Sequence, residues 1–417
     1  MSFAALFSLT VLSALHGVAS LPSALGPSGQ VAAAWYTSWH ASGVPNAFPD
    51  TAIPWEKYNT VIYSFAVTTP DVNTISLSGS DASLYDFVAR ARAHNVAAHV
   101  GIGGWGGSMF FSSNVATPEN RTAFVTTVAD FAVKYGLSGI EFDWEFPNKQ
   151  GIGCNTIAAD DTQNFLYFLQ ELRKNPVGAK LTLTAAVSIA PFNDASGNPS
   201  KDVSDFAKVL DYIVVMDYDI WGKWSPTVGP NSPLDDTCAD PANRAGSAVS
   251  AVKAWTAAGI PVNQIVLGVP SYGHSFSVSP SDAFVYGSQT ELAPNPKFDA
   301  SKQPLGDAWG NAGGADACGV QEGPGGTFEL WGLVDGGFLA TDGNPAPGIS
   351  YRYDTCSQTP YVYNPTSQVM VSFDNADSFA AKGKYIQKTG LKGFSMWEAG
   401  GDYNDILLDS IRTAAGY

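Results

Sequence analysis

Ser138-Gly139-Ile140-Glu141-Phe142-Asp143-Trp144-Glu145-Phe146-Pro147 sets a carboxylate at every second position and an apolar residue in each gap. Successive side chains of a strand point to opposite faces. Read as a strand, this stretch therefore turns Glu141, Asp143 and Glu145 one way and Ile140, Phe142 and Trp144 the other. An acidic edge washed by solvent has no use for an apolar residue at each intervening position. The pattern instead predicts a strand buried on both faces, with three carboxylates aimed into an enclosed axis and climbing towards its mouth. Leaving such groups ionised and unpaired costs several kcal/mol each, so some must hold or share protons. That is how a carboxyl with a raised pKa, fit for acid catalysis, is made.

Working outward, seven more apolar runs read as strands: Val31–Tyr36, Thr60–Val67, Val96–Ile102, Leu181–Val187, Tyr212–Met216, Ile265–Val269 and Gly393–Trp397. With Gly139–Asp143 they make eight, separated by amphipathic segments. The clearest helix has Thr117 as N-cap, Pro118 at the first helical position, Phe124, Val128, Phe131 and Tyr135 on one stripe, and Gly136 as its stop. A second carries Phe165, Leu169 and Leu172. Near-continuous apolar strands alternating with helices predict a parallel sheet covered on its outside, and eight close a (β/α)8 TIM barrel. The alternative, a doubly wound open sheet, lacks the glycine-rich phosphate fingerprint after its first strand. From residue 275 to 365 the rhythm breaks into Gly, Pro and aromatic residues. This predicts a small α+β module inserted after the seventh strand, with residues 21–274 and 366–417 forming the barrel.

Composition narrows the partners. Twenty-two basic against 38 acidic residues give a net charge of −16, which opposes nucleic acid and acidic membrane surfaces but not a neutral polysaccharide. Residues 1–20 hold a short apolar run followed by small residues, read as a signal peptide although no basic residue precedes the run. Secretion is the expectation, and a monomer. The four cysteines allow three pairings. The expected one joins Cys318 to Cys356 within the inserted module and leaves Cys154 with Cys238. With no C-x-x-C pair and five scattered histidines, no metal or cofactor is expected. Asn120-Arg121-Thr122 is a glycosylation sequon.

The carboxylate strand resembles the D-x-x-D-x-D-x-E signature of family 18 glycoside hydrolases, the chitinases and their relatives. Further resemblances fall in the family's order: Gly101-Ile-Gly103-Gly104-Trp105 at the third strand, Met216-Asp-Tyr218-Asp219 at the sixth, Gly268-Val-Pro-Ser-Tyr272-Gly-His274 at the opening of the inserted module, and Gly393-Phe-Ser-Met-Trp397-Glu at the last. The Pro147-Asn-Lys-Gln-Gly run is most similar to secreted fungal members. The resemblance implies hydrolysis of β-1,4-linked N-acetylglucosamine, with chitin or chito-oligosaccharides as partner. Glu145 would protonate the glycosidic oxygen. The substrate's own acetamido oxygen would attack, outside the usual two-carboxylate scheme. Asp143 would hold the acetamido N–H and share protons with Glu141, Tyr218 would fix the acetamido oxygen, and Asp219 would bind sugar hydroxyls. Trp397 would floor the cleaved sugar, with Trp105 and Tyr272 stacking beside it. Trp35, Phe65, Gly104 and Met216 complete the candidate substrate-contacting set, although core packing is an equal reading for Trp35 and Phe65.

Four positions depart from the family pattern. Ser138 replaces the first Asp of the signature and Glu141 the second; Gly101 stands where Ser is usual; His274 replaces an Arg. Two other functions remain open on the same fold: an endo-β-N-acetylglucosaminidase acting on protein-linked glycans, and a sugar-binding protein without turnover. The tryptophan set and the inserted wall favour a long flat chain over the first. Glu145, which lectin-like relatives typically lack, disfavours the second.

Overall fold

The computed structural model describes residues 29–417; the expected signal peptide, residues 1–20, lies outside them. Eight parallel strands form the barrel: β1 (Val31–Thr37), β2 (Thr60–Thr68), β3 (Ala97–Gly103), β4 (Gly139–Asp143), β5 (Thr182–Val187), β6 (Tyr212–Met216), β7 (Ile265–Pro270) and β8 (Gly393–Trp397). Each pairs with its neighbour in the chain, and β1 pairs with both β2 and β8, which closes the ring. The fold is the (β/α)8 TIM barrel that the strand count implies.

Alternation along these strands divides the apolar residues into two sets. Val31, Ala33, Trp35, Ile62, Ala186, Tyr212, Val214 and Val266 fill the axis. Ala32, Ala34, Tyr36, Ile140, Phe142 and Trp144 join the larger core between barrel and helices. The helix Pro118–Tyr135 begins at Thr117, whose hydroxyl accepts from the Asn120 amide at 3.2 Å, and stops at Gly136, whose φ of 67° suits glycine. It buries Phe124, Val128, Phe131 and Tyr135. The helix Asp161–Lys174 buries Phe165, Leu169 and Leu172 in the same layer.

Between β7 and β8 a five-stranded antiparallel sheet runs in the order Thr327–Glu329, Tyr272–Ser277, Val369–Ser372, Thr359–Asn364, Ser350–Asp354. It extends beyond residues 275–365 at both ends, because its second strand starts at Tyr272 and its central strand runs to Ser372, which pairs with His274.

The sheet order overturns the expected disulfides. Cys154 is bonded to Cys318 and Cys238 to Cys356, with Cα–Cα distances of 5.6 and 5.7 Å. Cys318 precedes one edge strand of the inserted sheet and Cys356 follows the opposite edge strand. Those edges lie four strand spacings, roughly 19 Å, apart. Each edge instead meets a barrel loop. Leu234 N donates to Ser357 O at 2.8 Å, bringing the Cys238 loop to Cys356.

Candidate active site

β4 is the axis of the site. Its register against β3 sets Gly101 beside Glu141 and Gly103 beside Asp143. Both are inward positions, and neither glycine adds a side chain to crowd the carboxyls. At Gly103 a Cβ would lie 2.1 Å from Asp143 O, and at Gly104 one would lie 2.7 Å from the Phe65 ring; both residues have positive φ. The close approach of β3 to β4 therefore requires glycine at 103, and the Phe65 ring of β2 requires it at 104.

Glu141 and Asp143 are buried, and Glu145 is partly exposed at the mouth. Glu141 has turned towards β1 and β5. Trp35 Nε1 donates to its Oε1 at 2.5 Å and Thr184 Oγ1 to its Oε2 at 3.3 Å. Among the described residues, Asp143 Oδ1 has no hydrogen-bond partner. Burial, and then the Asp143 charge, push Glu141 up to about 8 despite those two bonds. Burial pushes Asp143 up to about 7. Burial, followed by the charges of Asp143 and Asp219, holds Glu145 well above the usual carboxylate range. Burial along the axis thus favours the protonated form of all three carboxyls, and Glu145 is the one nearest solvent.

The end of β4 is pinned from its main chain. The single hydroxyl proton of fully buried Ser108 is shared between Asp143 O at 2.8 Å and Gly104 O at 2.9 Å, while its oxygen accepts from Glu145 N at 3.1 Å. Asn155 Nδ2 donates to Glu145 O at 2.8 Å. Neither residue is legible as a site residue from sequence, since each lies in a loop and acts through backbone atoms.

Past β6, Tyr218 leans over Gly268, where a Cβ would come within 3.2 Å of its ring. Burial and the surrounding carboxylates raise its hydroxyl well above the tyrosine range, so it stays a donor. Asp219, with φ at 56°, opens into the cleft. Its Oδ1 accepts from Tyr272 OH and meets His274 Nε2, both at 2.7 Å. Desolvation works to raise Asp219, and the His274 and Tyr272 bonds outweigh it, leaving its pKa low. His274, which replaces an Arg of the family pattern, thereby acts on Asp219.

The aromatic residues separate into floor, rim and interior. A bulge in β2 between Tyr63 and Ala66 swings Phe65 over Gly101 and stacks it on Trp397 at 5.5 Å and 15°. Trp39, missed by the motif reading although it closely follows β1, stands 6.5 Å from Trp397. Trp105 and Trp224 are 55% and 58% exposed on the rim. Met216 and Trp397 are half-buried over the axial cluster. Trp35 is only 1% exposed; it serves Glu141 from behind and has no surface to offer a substrate, which corrects its place in the contacting set. Tyr272 is 7% exposed and contributes its hydroxyl to Asp219 more than a stacking face. Trp221 is buried in its loop. Asn120 lies in the first turn of the helix Pro118–Tyr135, its side-chain nitrogen donating to Ser113 O at 2.8 Å.

A family model described as glycosyl hydrolases family 18 matches residues 31–402. A chitinase-like effector of Moniliophthora roreri is 51% identical over 95% of this chain and 96% of its own length. A second chitinase-like effector, from Moniliophthora perniciosa, is 50% identical over 93% of this chain and 87% of its own. Among solved structures, a chitinase from Rhizomucor miehei superposes with a TM-score of 0.81 at 30% identity, covering 93% of this chain and all of that one.

Proposed function

The chain belongs to glycosyl hydrolases family 18, and on that premise we propose that it cleaves β-1,4-linked N-acetylglucosamine oligomers at the mouth of the barrel. The observation that carries the reading is the partly exposed Glu145, its pKa held above the usual carboxylate range, standing above buried Asp143 on one strand. A glycosidic oxygen is a poor leaving group until it receives a proton, and Glu145, whose raised pKa favours the acid form, is placed to supply one. The sugar's acetamido oxygen then attacks the anomeric carbon, which needs the acetamido group held rigidly. Tyr218 donates its hydroxyl to that oxygen, and Asp143 accepts the acetamido N–H on the oxygen left without a partner. Water opens the resulting ring from the other face, with Glu145 now taking its proton. Trp397 and Phe65 form the floor under the cleaved sugar; Trp105 and Trp224 receive its neighbours. Two disulfides fit an oxidising compartment, and no helix among the described residues is long and apolar enough to cross a membrane. Secretion is part of the proposal.

One observation favours a second reading, sugar binding with little or no turnover. Glu141 is clamped by Trp35 and Thr184, so Asp143 lacks a direct partner for passing its proton inward. The relatives at 51% and 50% identity also carry the name chitinase-like effector. Incubating the protein with chitohexaose separates the two readings. New reducing ends that vanish in Glu145→Gln support hydrolysis; tight binding with no cleavage by the unaltered protein supports the second.

A further inference from the structure

Residues 311–325 leave the inserted module as a narrow arm. Its stem closes where Gly325 N donates to Asn311 O at 2.7 Å, and Gly314–Ala315 pairs with Gln321–Glu322 along its length. The turn at its tip is built on Asp316, whose Oδ1 accepts from Cys318 N and Val320 N, each at 2.8 Å. The root of the arm is the strand Thr327–Glu329, which pairs with Tyr272–His274 just after β7. Its tip is Cys318, bonded to Cys154 in the loop after β4. Beside the tip, Ala317 packs against Gly106 of the loop after β3. Close to the stem, Lys223 of the loop after β6 donates to Pro324 O at 3.2 Å and faces Glu322 at 3.7 Å.

In a ring of eight, β3 and β4 stand opposite β7 and β8, so an arm rooted at one pair and fastened at the other crosses the mouth. Eight strands about 4.8 Å apart and tilted by about 36° enclose a barrel roughly 15 Å across. A seven-residue extended limb reaches about 23 Å, enough to span it. The two exposed tryptophans of the rim adjoin the points where the arm is held: Trp105 precedes Gly106 and Trp224 follows Lys223. Ten of the fifteen residues of the arm are exposed, Val320 among them, and none is fully buried. With so little apolar surface buried, packing does not hold it in place; the disulfide does.

We infer that this arm is a latched bridge over the sugar site, and that a polymer reaches Glu145 by threading a chain end beneath it, not by lying in from the side. The inference rests on the proposed sugar substrate and adds how that substrate gains access. Cutting the latch leaves the arm hinged at its root and lets internal segments of a chain settle into the cleft.

The test uses Glu145→Gln throughout, so that binding is read without turnover. Association with a short N-acetylglucosamine oligomer and with a much longer soluble chain is followed by tryptophan fluorescence. In the latched protein the rate per chain should be independent of length, because only ends are accepted. With Cys154→Ser and Cys318→Ser together, it should rise in proportion to chain length, with the short oligomer unchanged. A second variant removes residues 313–323 in a Cys154→Ser background, joining ends that already meet at the stem, and should behave as the open form. A latched protein whose rate already grows with length, or open variants that still accept only ends, would overturn the inference. Failure of every form to bind the short oligomer would instead overturn the substrate reading, and this inference with it.

Discussion

Glu145 and Glu141 carry opposite demands on one strand. Glu145 must hold a proton near solvent, and burial with its acidic neighbours raises its pKa to that end. Replacing it with Gln keeps the shape and removes the proton, so turnover should fall by at least roughly 10²–10⁴-fold while oligosaccharide affinity is kept. Steady-state rates and calorimetry on the same oligomer check this; a variant keeping a tenth of the activity would show that the acid lies elsewhere. Glu141 stores its proton in the axis, tied to Trp35 Nε1 instead of Asp143. Glu141→Asp shortens the side chain by one methylene, loosening that tie and letting the two carboxyls share a proton. Asp143 then gives up its proton less readily, so the acidic limb of kcat against pH should move to higher pH. Superimposable profiles would mean that Glu141 only fills space.

The loop after β3 is an element whose value lies in main-chain contacts. Ser108 ties Gly104 O, Asp143 O and Glu145 N into one point. Ser108→Ala leaves Glu145 N without its partner, while Asp143 O and Gly104 O keep Gly104 N and Gly107 N; the cost is about 1–3 kcal/mol in stability. It should lower kcat more than it raises KM, since the floor and rim aromatics are untouched. A thermal midpoint and kcat both equal to wild type would contradict the positioning role. The strands themselves were legible because eight apolar runs recur between amphipathic segments, and so were the three carboxylates of β4. Less legible were features joined across the chain. Trp35 reads as a sugar contact or core filler until β1 is set against Glu141, 106 residues away. The cysteine pairing depends on which strands edge the inserted sheet, and local sequence does not encode that order. Gly101 reads as a lost Ser, yet a Cβ there would lie 3.0 Å from Phe65 Cδ1, so the glycine makes room for a floor residue brought in by a bulge.

Across the whole molecule, carboxyls with raised pKa values accumulate in the interior. Burial lifts Glu141 and Asp217 to about 8, and Asp143 and Asp402 to about 7. Each binds its proton in the folded state at pH values where the unfolded chain has released it. Their stabilisation is complete below the ordinary carboxylate pKa and is lost as pH rises towards 7–8. The net charge of −16 adds self-repulsion in the same direction. The thermal midpoint should therefore fall between about pH 5 and 8, and Glu141→Gln, which cannot lose a proton, should flatten part of that fall. A midpoint that rises over this range would mean that these groups are ionised in the folded protein. The central claim, retention through the substrate's own acetamido group with Glu145 as acid, is tested most directly by NMR of chitohexaose during its first turnovers. Two inversions at the anomeric carbon predict that the new reducing ends emerge as the β-anomer and only later relax towards equilibrium. Reducing ends that emerge as the α-anomer would contradict the mechanism outright, and intact chitohexaose held in the cleft would leave a protein that binds this sugar without cutting it.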